Sequence, residues 1–282
     1  MIKIISDSTC DLSKELIGKY NISILPLHIL LGEKEYDDRV NITPDEIFAW
    51  SDENKKTPTT AAPSLGEAID VLRPYVEEGK ELICFSISDS MSTSGNVMRM
   101  AAEELEAEDR IHVIDSANLS TGIGLLIIEA AIMAEEGKNA AEIVKRLEEL
   151  KPQVRASFVV DTLTYLHRGG RCSSVAALAG GVLKLHPKIV VENGKMDASK
   201  KYRGKLPAVI MSYVKDMEEE LKAAKPDRVF ITHSGCDAAV VEEVRAYLAQ
   251  LNVFEEILET RAGGVISSHC GPGTLGVLFI SR

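Results

Sequence analysis

Short apolar segments alternate with helical segments along the first half of the chain, and this alternation restricts the possible folds more than any other feature. Residues 3–5, 22–25, 82–85 and 111–114 are rich in β-forming side chains and bounded by polar residues, a pattern that predicts four strands. Strands that alternate with helices are typical of βαβ crossovers and of a mostly parallel sheet. We therefore predict a doubly wound α/β domain in this half.

The helices between these strands carry clear start signals. Residues 43–46 combine an N-cap threonine, a proline at the first helical position and a glutamate at the third. Residues 64–67 form a second capping box, in which a serine precedes a glutamate by three positions. Further helices are predicted at about residues 92–105, 119–136 and 140–150.

The pattern changes after Pro152, where a second α/β domain is predicted. Its predicted strands are residues 156–160, 189–191, 228–231, 256–260 and 277–280, and its predicted helices are residues 175–183, 206–224 and 238–250. The pair Asn193-Gly194 favours a hairpin, so we expect a mixed or antiparallel sheet. We place the N-terminal domain at residues 1–155 and the C-terminal domain at residues 156–282.

The charge of the chain argues against nucleic acid as its main partner. The formal net charge is −11, whereas binding to a polyanion requires a basic surface. The charge is uneven, because residues 165–205 contain nine Lys or Arg residues and two acidic ones. This basic segment is either an ordinary solvated face or a docking surface for an acidic partner or a phosphate.

Cysteine usage and hydropathy favour a cytoplasmic protein without stable membrane insertion. The five cysteines are scattered and form no C-x-x-C pair, so neither a disulfide framework nor a metal site is predicted, and Cys270 is interpreted as a packing thiol. The first residues are too soon interrupted by charge to be a signal peptide, and no apolar stretch reaches the length of a membrane span.

Hydroxyl-rich stretches follow the predicted strands, and ligands of an open α/β sheet bind at the carboxyl ends of its strands. These stretches are residues 6–9, 86–95 and 115–116, and a fourth polar segment lies at residues 57–64. Hydroxyl groups and helix N-termini suit the binding of an anion such as a carboxylate. For Asp7, Ser64, Asp115 and Ser116 we favour the simpler interpretation that they cap turns and helices.

A glycine pattern near the end of the chain does not indicate a nucleotide site. Gly271, Gly273 and Gly276 match G-x-G-x-x-G, but a dinucleotide fingerprint requires a following helix and an acidic residue about 20 positions on. Here a short apolar run, predicted to be a strand, follows the glycines. The sequence also has no Walker loop, H-E-x-x-H motif or G-x-S-x-G elbow.

Four segments together resemble the DegV family. They are ISDSTCDL (residues 5–12), YLHRGGR (165–171), KYRGK (201–205) and VISSHCGPGTLG (265–276), and they occur in the family's order along nearly the whole chain. The resemblance implies a two-domain protein that binds a long-chain fatty acid, such as palmitate, stearate or oleate, in an apolar tunnel near the domain junction. It implies no cofactor, no metal and no enzymatic activity of its own.

The resemblance also implies which residues bind the carboxylate of the fatty acid. The family's threonine, serine and histidine fall here on Thr60, Ser92 and His269. The chain departs from the family pattern beside two of them, where Ala61 replaces a serine and Thr93 replaces a glycine. On this interpretation the glycines after His269 let the backbone turn tightly beside the ligand. Leu178 and Leu183, with the small Ala-Gly run between them, are candidate tunnel residues, although ordinary core packing is the favoured interpretation.

In the family, a separate ATP-binding kinase subunit phosphorylates the bound acid. The resemblance therefore implies that Arg171 and Arg203 lie near the contact with such a kinase and that the protein feeds lipid metabolism. The alternative function is an acyl hydrolase that uses Ser92 as nucleophile and His269 as base. That alternative requires a third residue to orient the histidine and an oxyanion hole, neither of which the sequence indicates.

Overall fold

The computed structural model describes residues 1–176 and 185–282, which form three β-sheets and the helices that cover them. The strands are β1 (Ile2–Asp7), β2 (Ser23–Leu25), β3 (His28–Leu31), β4 (Lys34–Asp37), β5 (Thr59–Ala61), β6 (Glu81–Ser86), β7 (Ile111–Asp115), β8 (Val154–Val159), β9 (Leu185–Glu192), β10 (Lys195–Arg203), β11 (Ala224–His233), β12 (Glu256–Arg261) and β13 (Leu275–Ser281). The helices are α1 (Lys14–Lys19), α2 (Pro44–Asn54), α3 (Leu65–Glu77), α4 (Ser94–Glu104), α5 (Thr121–Glu135), α6 (Ala140–Leu150), α7 (Thr164–Gly169), α8 (Ser173–Ala176), α9 (Leu206–Asp216), α10 (Glu218–Lys222), α11 (Ala238–Gln250) and α12 (Gly264–Cys270).

The first sheet is parallel, with strand order β2-β1-β6-β7. Successive side chains of a strand point to opposite faces. Accordingly, Ile4 and Ile83 pack with α5 and α6, while Ile5 and Leu82 pack with α3 and α4. Helices therefore cover both faces, and the predicted doubly wound α/β arrangement is confirmed.

The second sheet has the order β10-β9-β8-β13-β11-β12 and is mixed, because β11 and β12 are parallel while its other pairs are antiparallel. The predicted hairpin joins β9 to β10. Asn193 and Gly194 have φ angles of 49° and 78°, which suit the tight turn of a two-residue hairpin loop. The prediction of a mixed or antiparallel sheet in the second half is confirmed.

The change from parallel to mixed sheet falls between β7 and β8. One hydrophobic cluster nevertheless includes Phe85 of β6 as well as Phe158 of β8 and Phe230 of β11. The two sheets therefore share part of a core, and the division at residue 155 stays a prediction. Among the described helices, none is both long and apolar enough to cross a bilayer.

Local signals at helix starts are confirmed, but several features differ from prediction, among them the short helices α1 and α7, which were not predicted. Thr43 and Ser64 form the two capping boxes. A third, antiparallel sheet of order β4-β3-β5 was not predicted, since β5 is a polar three-residue strand. Helix α12 was not predicted either, because its glycine and serine residues are weak helix formers. The predicted helix at 206–224 breaks at Met217 into α9 and α10, and most of the one predicted at 175–183 lies outside the described residues.

Candidate functional site

A cavity of about 310 Å³ brings together all three predicted ligand residues. Thr60, Ser92 and His269 line it, and so does Arg171. These residues come from β5, the loop after β6, α12 and the segment after α7. The cavity lies at the carboxyl ends of the parallel strands, where open α/β sheets bind ligands, and its volume is at the lower end of the range for small-molecule sites.

Thr60 and His269 form a hydrogen bond at the cavity wall. Thr60 pairs with Ile29 of β3, and His269 lies in the last turn of α12. The Oγ1 atom of Thr60 is 2.8 Å from the Nε2 atom of His269. In the tautomer that carries its hydrogen on Nε2, the ring donates and the hydroxyl hydrogen of Thr60 is free. That hydroxyl can then donate to a ligand oxygen.

The imidazole of His269 is neutral at neutral pH. Burial, and then the positive charge of Arg171, lowers its pKa to about 4. The Nδ1 atom is buried and makes no hydrogen bond within the described residues, although part of the residue reaches the cavity. A Cβ atom at position 169 would overlap Nδ1, so Gly169 leaves the space that the ring occupies. This contact links the YLHRGGR segment to the C-terminal segment that carries the histidine.

The loop that carries Ser92 is anchored by the buried carboxylate of Asp7. That carboxylate accepts hydrogen bonds from the Ile87 amide and the Ser94 hydroxyl, both at 2.9 Å. It also caps the 3₁₀ turn at residues 8–10 through the amide of Thr9, so the predicted capping role is confirmed. The Oγ atom of Ser92 accepts a hydrogen bond of 3.3 Å from the Ser94 amide and lies at the cavity surface.

Both positions that depart from the family pattern line the cavity as well. Thr93 is the N-cap residue of α4, and its side chain makes no capping hydrogen bond. Ala61 follows Thr60 at the end of β5. Neither departure removes Thr60 or Ser92 from the cavity wall.

Most of the remaining cavity wall is apolar. It includes Leu27, Ile87, Met91, Leu119, Met196, Val265 and Ile266. A smaller cavity of about 30 Å³ shares Leu119, Ile266 and Cys270 with it and extends to Phe158 and Leu278. Burial raises the pKa of the Cys270 thiol to about 12, so this side chain is neutral. An interior of this composition favours an alkyl group over a charged one.

The β9–β10 hairpin closes one side of the cavity, a feature that the sequence did not indicate. The carbonyl oxygen of Gly194 at its tip accepts hydrogen bonds from the hydroxyl groups of Ser88, at 2.7 Å, and of Ser90. Both serines belong to the loop that also carries Ser92. Met196 of the hairpin lines the cavity, so the hairpin and the loop form one wall.

The two predicted docking arginines lie in different places. Arg171 is exposed at the cavity, and its Nη1 donates a hydrogen bond of 2.7 Å to the carbonyl oxygen of Gly169. Arg203 is exposed at the end of β10, an edge strand of the second sheet. The candidate tunnel residues Leu178 and Leu183 lie outside the described residues.

The contacts of His269 do not form a catalytic triad. Its Nε2 atom contacts Thr60 rather than Ser92, and its Nδ1 atom meets no carboxylate among the described residues. A serine nucleophile requires the first of these contacts for deprotonation, and the second orients the histidine. The arrangement at the cavity therefore suits hydrogen bonding to a ligand better than acyl transfer.

One group of side chains in the described part of the chain has a spacing that could hold a metal ion: His28, Asp37 and Glu67. The Nδ1 atom of His28 is 3.1 Å from Asp37, and its Nε2 atom is 3.0 Å from Glu67. Burial alone would lower the pKa of His28, but Glu67, then Glu35 and Asp37, raise it above its usual value. A protonated imidazole donates through both nitrogens, so these contacts are satisfied without a metal ion.

The fold and the site together define an α/β protein in which a parallel and a mixed sheet share a core, with a ligand-sized cavity that has a polar wall and an apolar interior. The protein-family model described as "Uncharacterised protein, DegV family" matches residues 1–282. The chain belongs to the DegV family.

Relatives of known sequence and structure agree with this assignment. A DegV domain-containing protein of Clostridium acetobutylicum is 32% identical over 283 residues, covering 100% of this chain and 99% of the relative. Another, from Deinococcus radiodurans, is 31% identical, covering 98% and 97%.

Two solved structures resemble the whole chain closely. The structure reported as fatty acid binding of a DegV family protein from Thermus thermophilus has a TM-score of 0.89 and 32% identity, covering 100% of this chain and 99% of that one. A stearic acid-binding protein from Eubacterium ventriosum has a TM-score of 0.87 and 31% identity, covering 100% and 98%.

Proposed function

We propose that this protein binds one long-chain fatty acid, with the alkyl tail in the apolar cavity and the carboxylate at Thr60, Ser92 and His269. The observation that carries the proposal is that these three side chains line one cavity whose wall also contains a large apolar part. The fatty-acid-binding structures from Thermus thermophilus and Eubacterium ventriosum support it, because they share the fold over the whole chain.

The polar wall matches the chemistry of a carboxylate. A carboxylate only accepts hydrogen bonds, and the hydroxyl groups of Thr60 and Ser92 can donate them. The Nε2–H tautomer of His269 donates to Thr60 and so leaves the Thr60 hydroxyl hydrogen free for the ligand. The neutral histidine orients the Thr60 hydroxyl without adding a full charge, while the guanidinium of Arg171 supplies positive charge at the same cavity. The carboxylate of Asp89 also lines the cavity and is paired with Arg99. The site therefore orients an acid headgroup.

The tail accounts for most of the binding free energy. Burial of about 15 methylenes at roughly 0.8 kcal/mol each contributes on the order of 12 kcal/mol before the costs of association. A hydrogen bond to a charged group contributes only about 1.5–3 kcal/mol. The affinity comes from the alkyl chain, and the three polar side chains fix its orientation.

The finer function that we propose is presentation of the bound acid to a separate ATP-binding fatty acid kinase subunit, which feeds lipid metabolism. On this proposal the protein is a cytoplasmic binding subunit that catalyses nothing alone. Two features support it: the exposed Arg171 lies at the cavity, and Arg203 is exposed at the end of β10 opposite the hairpin tip. Both belong to the basic segment at residues 165–205.

The acyl hydrolase is the less favoured function, because Ser92 and His269 make neither contact of a catalytic triad. Turnover of a p-nitrophenyl ester would distinguish the two functions. Turnover by the purified protein that Ser92→Ala abolishes would favour the hydrolase.

Protein purified from its host should carry a fatty acid that native mass spectrometry detects as an added mass. After delipidation, oleate at about 100 times its dissociation constant should stabilise the fold by about 2.7 kcal/mol, because the ligand binds only the folded state. Thermal unfolding measures this as a rise in Tm of about 5 °C or more. Octanoate at the same concentration is the control, since its short tail buries fewer methylenes. A protein without cargo whose Tm oleate does not raise would overturn the proposal.

Charge reversal at either docking arginine should reduce coupling to the kinase while the cavity stays loaded. We expect Arg203→Glu and Arg171→Glu to slow phosphorylation of bound oleate by the host's kinase subunit about tenfold or more, because close charge pairs at interfaces contribute about 1.5 kcal/mol or more. Arg146→Glu, on the exposed side of α6, is the control. If Arg203→Glu instead released the lipid, as measured by native mass spectrometry, its docking role would be wrong.

A further inference from the structure

The helix that carries His269 begins on two buried carboxylates. The amide of Gly263, its N-cap residue, donates a hydrogen bond of 2.7 Å to Asp11, and the amide of Gly264 donates one of 2.7 Å to Asp38. Asp11 and Asp38 are both 0% exposed. The start of α12 is therefore attached to the N-terminal half of the chain by two charged acceptors.

Other groups fix the two carboxylates in place. The Ser120 hydroxyl donates to Asp11 at 2.6 Å, and the Ser8 hydroxyl donates to Asp38 at 2.7 Å. The guanidinium of Arg39 lies 3.7 Å from the Asp11 carboxylate. Because each carboxylate has a partner besides the α12 amide, it holds that amide at a defined position.

The two glycines allow this close approach. A Cβ atom at position 263 would lie 3.1 Å from the Asp11 carboxylate and 3.3 Å from that of Asp38. A Cβ atom at position 264 would overlap the side chain of Ile29, a residue of the same small sheet that carries Thr60. Side chains at these positions would push the start of α12 away from its anchors.

We propose that Asp11 and Asp38 are positioning residues for His269, which hold α12 so that its imidazole meets Thr60 and the ligand carboxylate. The proposal rests on the proposed fatty-acid function and adds a reason for Asp11, the second of the two acidic residues in the ISDSTCDL segment. The helix is only seven residues long and His269 is its sixth, so a shift at its start moves the histidine.

These carboxylates cost stability at neutral pH. Burial raises the pKa of Asp11 to about 7 and that of Asp38 to about 6. Between about pH 4 and 7 the folded state therefore binds more protons than the unfolded state does. The stability that these groups contribute falls as the pH rises through that window. At neutral pH, Asp11 and Asp38 thus lower the stability of the folded state at the point where they bind the start of α12. Groups that cost stability in this way are typical of a functional site.

Protonation of these groups should loosen α12. The described groups that face Asp11 are Arg39, Asp38 and the neutral thiols of Cys10 and Cys270. As the pH falls through about 7 to 6, the carboxylates become carboxyl groups and lose the charge-assisted part of their hydrogen bonds to the amides. His269 stays neutral in this range because its own pKa is about 4.

The test follows the imidazole by NMR in delipidated protein and oleate affinity by titration. The His269 signals should shift with a midpoint near pH 6 to 7 although the ring does not titrate there. Oleate should bind about tenfold more weakly at pH 6 than at pH 8, because charge-assisted hydrogen bonds are about 1 kcal/mol or more stronger than neutral ones. Asp11→Asn keeps one acceptor but no charge, so it should bind oleate weakly at both pH values and shift the midpoint.

The controls separate this inference from the proposed function. Glu129→Gln removes a largely buried carboxylate that pairs with Arg228 and Lys225, and it should leave the His269 signals unchanged. A folded Asp11→Asn or Asp38→Asn variant whose His269 signals and oleate affinity at pH 8 match those of the wild type would overturn the positioning role. Failure of the wild type to bind oleate at pH 8, with the signals shifting as expected, would instead count against the fatty-acid function alone.

Discussion

We expect Leu119→Trp to lower the affinity for oleate more than 100-fold while the protein stays folded. Leu119 borders both the large and the small cavity and is 5% exposed, so a larger side chain there fills space that the proposed tail occupies. Displacement of about four methylenes costs roughly 3 kcal/mol at 0.8 kcal/mol each, which corresponds to more than a hundredfold in the dissociation constant. Titration of delipidated protein with oleate measures the effect.

Two comparisons make this result specific. Met100→Trp introduces the same side chain at an exposed position of α4 and should leave oleate affinity unchanged. Octanoate should lose less affinity than oleate in Leu119→Trp, because a short tail uses less of the cavity depth. Equal losses for both acids would mean that the substitution damages the carboxylate end, and unchanged oleate binding would place the tail elsewhere.

The second large effect should come from the polar wall. We expect the double variant Thr60→Val and His269→Leu to bind oleate about 30- to 100-fold more weakly. Removal of the Thr60 hydroxyl takes away a donor to a charged group, which costs about 1.5–3 kcal/mol, and removal of the imidazole takes away the group that orients that hydroxyl. Ser92→Ala should add a further loss, since Ser92 lines the same cavity.

Methyl oleate is the matched ligand for this prediction. It keeps the tail but lacks the carboxylate charge, so its affinity should change little between the wild type and the double variant. If both ligands weaken equally, Thr60 and His269 shape the cavity rather than bind the acid.

Local sequence signals were sufficient for most of the fold. The alternation of Ile4 and Ile5 between the two faces of the parallel sheet follows from strand geometry. The capping boxes that start at Thr43 and Ser64 each involve residues three apart, so the sequence contains both partners. The Asn193-Gly194 hairpin depends on two adjacent residues with positive φ.

Other elements depend on partners that are distant in the chain. Strand β5 is a short polar segment whose extended form is held by pairing with β3, about 30 residues earlier. Helix α12 has weak intrinsic propensity and is held at its start by Asp11 and Asp38. Periodicity and propensity do not indicate such elements, because their stability comes from tertiary contacts.

The candidate site shows the same division. Thr60, Ser92 and His269 were identified by family resemblance, and apolar periodicity alone would not have separated cavity-lining residues from core. The space that Gly169 leaves for the imidazole, and the docking of the Gly194 turn on Ser88 and Ser90, were not indicated by any local pattern.

The amino-acid sequence by itself indicated the parallel α/β half, the mixed second half, the helix starts and the hairpin, because the patterns that predict each strand, helix start and turn involve residues that are close together in the chain. Only the tertiary structure decided that Thr60 contacts His269, 209 residues away. It also decided that the buried carboxyl groups of Asp11 and Asp38 accept hydrogen bonds from the amides at the start of α12. Contacts over such separations depend on how whole elements pack, and packing depends on shape, burial and charge at once.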